Sequence, residues 1–96
     1  ALDEIITIAI VPQFMLLEKI VQEILGTQVD KMTIKRCLLS ILGQCLMFKH
    51  SRSIVDRLHP ELIADEAAIS ATADHIAKFS LFALAQFAQQ ATGTKP

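Results

Sequence analysis

The side chains able to do chemistry are few: two cysteines, Cys37 and Cys45, and three histidines, His50, His59 and His75. Thiol catalysis needs an exposed, activated cysteine with a base in reach. Cys37 and Cys45 instead fall on the apolar side of one predicted helix, separated by about 12 Å along its axis. That is too far for a disulfide, so both read as buried, reduced thiols of an intracellular protein. A metal held by Cys45 and His50 would need ligands at i, i+5, which splay apart on a helix. Asp65 and Glu66 read as a helix-start pair answering the dipole, not as an acid/base dyad. The sequence holds no glycine-rich phosphate loop, no nucleophile elbow and no metal pair at i, i+4. Neither an enzyme nor a metal or cofactor site is expected.

Two other residues stand out. Gln44 is a neutral amide inside the apolar run Ser40-Ile41-Leu42-Gly43-Gln44-Cys45-Leu46-Met47-Phe48, and if buried it must find partners. It is either a polar anchor, in a ligand pocket or across a dimer seam, or an amide bonded to a neighbouring backbone group. Gly43 beside it costs about 1 kcal/mol of helix propensity against alanine, a cost tolerated where another helix comes close. Phe82 sits in the middle of a polar stripe. Small neighbours (Ser80, Ala83, Ala85 and Ala88) favour reading it as an anchor for a partner helix over a merely exposed ring.

The elements that position these residues are helices. Leu2 to Leu25 carries apolar residues at helical spacing, with Pro12 expected to kink or divide it and Gly26 to stop it. The β-branched run Ile5–Val11 also resembles a strand, but nothing else in the chain would pair with it. Asp30 is a plausible N-cap for a helix from Lys31 to His50. Ser51–Leu58 continues that helix or forms a short one of its own. A last helix runs from Leu62 or Asp65 to Ala91, its core face carrying Ile69, Ala73, Ile76, Ser80, Ala83, Leu84 and Phe87. The expected architecture is all-α: one domain over 1–96, a bundle of three main helices.

Composition bears on partners. At 96 residues and 52% hydrophobic content, with mean hydropathy +0.44, the chain has more apolar surface than a domain of this size buries alone. A second copy is the simplest cover. The formal net charge of −1 provides no basic field for nucleic acid. Lys49, His50, Arg52, Arg57 and His59, interrupted by Asp56, read as a solvated helix end. Apolar stretches are too short and interrupted for a membrane span, and the opening Ala1-Leu2-Asp3-Glu4 is not a secretory signal.

The string Leu39-Ser40-Ile41-Leu42-Gly43-Gln44-Cys45-Leu46-Met47-Phe48, followed by Arg52, resembles the C-terminal domain of TetR-family transcriptional regulators in the CecR-like branch. Ala73-Asp74-His75-Ile76-Ala77-Lys78-Phe79-Ser80-Leu81 is similar to that branch's last helix, and the opening through Pro12-Gln13-Phe14 also fits. The resemblance implies a cytoplasmic homodimer whose last two long helices form a four-helix bundle with the partner's pair. It implies a repressor domain that senses a small apolar or amphipathic effector and couples it to DNA release. Operator DNA would be bound only through an N-terminal helix-turn-helix domain that is expected to be missing from this sequence, as are the first regulatory helices, so this chain alone is not expected to bind an operator. Carried onto this chain, one seam would hold Arg36, Ser40, Gly43, Gln44 and Met47, and the other Phe79, Phe82 and Gln86. Pocket walls would come from Phe14, Leu17, Val21, Cys37, Ile41, Cys45 and Phe48. The alternative is a helical dimerisation or adaptor module with no pocket.

Overall fold

The structure is a computed structural model that describes residues 2–5 and 11–93. Every regular element among them is helical: α1 (Leu2–Ile5), α2 (Val11–Leu25), α3 (Lys31–His50), α4 (Arg52–Leu58), a 3₁₀ turn (Pro60–Leu62) and α5 (Glu66–Ala91). The all-α expectation holds, with Ser51–Leu58 resolved in favour of a separate short helix. Most of the β-branched run lies outside the described residues, as do residues 6–10 of the expected helix 2–25. Pro12 falls in the first turn of α2, where its missing N–H costs nothing.

The boundaries follow local chemistry. Gly26 takes φ +82°, the left-handed conformation that glycine adopts without penalty, and its N–H donates to the Gln22 carbonyl over 2.9 Å to close α2. Asp30 caps α3, its Oδ1 accepting from the Thr33 N–H at 2.7 Å. That backbone bond, foremost, holds the Asp30 carboxyl below the ordinary range. Asp65 caps α5 in the same manner, accepting from the Ala68 N–H at 2.8 Å. α4 ends at His59, whose backbone leaves the helical region ahead of Pro60, and Pro60 opens the 3₁₀ turn.

The chain divides into two compact units. One comprises Ala1–Leu38 with Leu84–Pro96; its buried residues are Val21, Leu25, Val29, Cys37, Leu38 and Leu84. The other is Leu39–Ala83, with Val55, Ile63 and Ser80 buried. In this second unit α4 lies against the 3₁₀ turn, and Thr72 Oγ1 donates to the Leu62 carbonyl at 2.8 Å, tying that turn to α5. The expected core face of the last helix is narrower than its sequence implies: Leu84 and Ser80 are buried, whereas Ile69 and Phe87 stay exposed. Among the described residues no helix is long and apolar enough to cross a membrane.

Candidate functional site

Within the unit Leu39–Ala83, one hydrogen bond sets how α3 and α5 face each other. Gln44 Nε2 donates to Ser80 Oγ at 3.3 Å. Ser80 is only 7% exposed and Gln44 is half-buried, so the contact is partly shielded from water. Phe48, one turn beyond Gln44, shares a cleft with Thr72 and Ile76, which precede Ser80. The two segments therefore run antiparallel. The Gln44 amide is thus bonded to a side chain of its own subunit, not to a neighbouring backbone group. The sequence flagged the amide and the small core serine separately; it had no signal that they meet.

The rung at Gln44 and Ser80 determines where the remaining side chains point. At 100° per residue, Ser40, Gly43 and Met47 lie on one flank of α3 with Leu39 further round it, and Phe79 lies on one flank of α5 with Phe82 further round, about 160° from Ser80 and nearly opposite the rung. For antiparallel helices joined at this rung, the two flanks lie on the same side of the pair. All six are exposed, Phe82 at 73%, Leu39 at 60% and Phe79 at 57%. His75 packs against Phe79 one turn away, ring centroids 5.8 Å apart and tilted by 40°. Of the eight residues expected at a seam, five of this unit are accordingly Ser40, Gly43, Met47, Phe79 and Phe82, all accessible, with Gln44 half-buried at the rung. Arg36 and Gln86, in the other unit, are also exposed.

The expected pocket residues are distributed differently. Phe48 borders two open clefts of the second unit. One, of about 150 Å³, is lined also by Arg52, Ile63, Ile69, Thr72, Ala73 and Ile76. The other, of about 440 Å³, is lined also by Glu61, Leu62, Ala68, Ala71, Thr72 and His75. Both are dominantly apolar with polar groups at their edges. Glu61 also meets His59, Oε1 to Nδ1 at 3.3 Å on the surface. Ile41 is half-buried and lines neither cleft. Cys45 is exposed, contrary to the expectation of two buried thiols. Eight residues make 2.2 turns, so Cys45 is rotated by about 80° from Cys37 around the helix. In the first unit Phe14 and Leu17 are half-buried, while Val21 is wholly buried and Cys37 nearly so. Burial pushes the Cys37 thiol up from its ordinary value. Among the described residues no group of three His, Cys, Asp or Glu side chains could hold a metal ion.

No curated protein and no solved structure matches the chain. One family model does match, over residues 1–84, described as the HTH-type transcriptional dual regulator CecR, C-terminal domain. That span takes in α1 to α4, the 3₁₀ turn and α5 through Leu84, including the Gln44–Ser80 rung and the exposed aromatic flank. The chain belongs to the family of CecR transcriptional-regulator C-terminal domains.

Proposed function

We propose that this chain is the dimerisation and effector-sensing domain of a TetR-like transcriptional repressor. The family match over residues 1–84 carries the reading. The exposed side chains of Leu39, Met47, Phe79 and Phe82 support its dimer half, because aromatic surface of that kind is stabilised by a partner. The role is regulatory and not catalytic, and the protein works in the cytoplasm with the DNA it controls. Operator contact belongs to a helix-turn-helix domain elsewhere in the protein. The effector is a small apolar or amphipathic molecule. Of the residues expected around it, Phe48 is retained as a contact because it borders both clefts.

The mechanism is a shift between two dimer geometries. An effector that prefers one geometry changes the separation of the two DNA-reading domains, and half-sites about one helical turn apart no longer fit. The family's description as a dual regulator is compatible with the same shift serving activation at other operators. Light scattering at several concentrations, combined with displacement of an apolar fluorophore by candidate amphiphiles, tests this. A dimer that releases the fluorophore saturably is expected. A dimer without any saturable site would favour the adaptor reading, and a monomer without one would remove both halves of the proposal.

A further inference from the structure

The smaller cleft of the second unit, about 150 Å³, has apolar walls from Phe48, Ile63, Ile69, Ala73 and Ile76 and two polar members, Arg52 and Thr72. Thr72 gives its hydroxyl proton to the Leu62 carbonyl at 2.8 Å, so it offers the cleft an acceptor and no free donor. Arg52 is differently placed. Among the described residues no carboxylate pairs with it, not even Asp56 one turn further along α4. A guanidinium stays charged throughout the physiological range and carries five donors in a planar fork that matches a carboxylate. Beside an apolar cleft, with no acid of the chain to meet it, that fork is open to an anion from outside. The cleft wall is open as well: Ile69 is 43% exposed, apolar surface that the body of a ligand would remove from water.

The adjoining cleft, which shares Phe48 and Thr72, carries the opposite charge at its edge. Glu61 lines it, 3.3 Å from the His59 ring. A carboxylate there repels an acid, so the two clefts differ in the sign of the ligand end that each accepts. Resting on the effector-sensing reading above, we propose that the Arg52 cleft takes a monocarboxylate built on one aromatic ring. The carboxylate meets the guanidinium in the two-pronged manner that arginine favours, and the ring lies against Phe48, Ile69 and Ile76. Size sets the number of rings, since a cavity of about 150 Å³ holds a benzene-sized body. Phe48 makes the ring aromatic in preference to aliphatic, because ring pairs gain beyond their buried area.

The test uses the whole chain and two probes of the same shape, benzoate and neutral benzamide, at pH 7. Benzoate should shift the methyl resonances of Ile63, Ile69 and Ile76 saturably and leave those of Val21 and Leu25, in the other unit, in place. Benzamide should bind at least about tenfold more weakly. Arg52 is exposed, so Arg52→Gln should keep the helicity of the parent while benzoate falls to the affinity of the amide. Ala73→Leu, which fills the cleft from an exposed position, should weaken both probes alike. Equal affinity for acid and amide, or a preference for the acid that survives Arg52→Gln, overturns the assignment and leaves the effector reading standing. Methyls unmoved by benzoate in a chain that still binds an apolar fluorophore saturably overturn it in the same way. A chain that binds neither benzoate nor the fluorophore loses the effector reading and this assignment together.

Discussion

The side-chain amide of Gln44 donates to the hydroxyl of Ser80 across 3.3 Å, joining residues 36 apart in sequence. It is the polar rung between α3 and α5, and it gives that helix pair its rotational setting. An apolar contact can slide or rotate at little cost; a part-buried donor–acceptor pair is lost by any such movement. Removing one member leaves the other short of a partner. Gln44→Leu is expected to lower unfolding free energy by about 1–2 kcal/mol, and Gln44→Leu/Ser80→Ala by less than the sum of the two single changes. Urea unfolding of the four chains of this cycle measures the coupling. Strict additivity would mean that the bond contributes nothing in solution.

Phe82→Asp should dissociate the proposed dimer. A charged residue at the centre of an apolar contact loses the ring's burial and adds a desolvation cost, so the dissociation constant is expected to rise at least about thirtyfold. The helix itself should persist, since Phe82 is 73% exposed in the subunit. Sedimentation for mass and circular dichroism for helicity separate the two effects. An unchanged dimer would remove Phe82 as an anchor.

The helical class and most boundaries were legible because they rest on local chemistry: Gly26, Asp30, Asp65 and Pro60 act within a turn of their own positions. Residue types also marked the exposed face, since a phenylalanine within a polar stripe breaks the helical pattern. What sequence reading missed depends on rotation about a helix axis and on pairing between distant segments. Cys45 carries an apolar label yet points outward, because eight residues do not complete a whole number of turns. Ile69 and Phe87 fit the period of a core face, but a single helix pattern does not state how wide a face its neighbours cover. The partner of Gln44 was unreadable for the same reason: only tertiary pairing brings Ser80 to it.

Acid should act on the start of α3. Asp30 accepts from the Thr33 N–H, and its carboxyl titrates below its ordinary value. A depressed folded-state pKa contributes stability above the unfolded pKa of about 3.9, and that contribution is lost as pH falls through the folded value. Asp30→Asn keeps an acceptor at the cap and removes the titration. Its melting temperature should therefore vary less with pH below about 4 than the parent's. Parallel curves over that range would show that the cap does not couple to protonation.

Thr72→Val tests the tie between the 3₁₀ turn and α5. The substitution keeps the shape and deletes the hydroxyl that donates to the Leu62 carbonyl at 2.8 Å. Because the bond lies at the surface, water can replace it, and the global cost should be about 1 kcal/mol or less. The local effect should be larger: hydrogen exchange around Leu62 and Ile63 should accelerate, and the cleft lined by Phe48, Leu62 and Thr72 should bind apolar fluorophores more weakly. Exchange rates equal to the parent's would show that the turn is held by α4 alone.

The two thiols should differ in kinetics. Cys45 is exposed, whereas Cys37 is 7% exposed with its pKa raised by burial. Thiolate is the reacting species, so a raised pKa and a closed surface act in the same direction on Cys37. One equivalent of a disulfide reagent should react rapidly in the native chain, and Cys45→Ser should abolish that phase. The second equivalent should appear only as fast as the domain opens, and should accelerate in urea in step with loss of helicity. If Cys37 reacts at the Cys45 rate without denaturant, the core of the first unit opens far more readily than the burial of Val21, Cys37 and Leu38 implies.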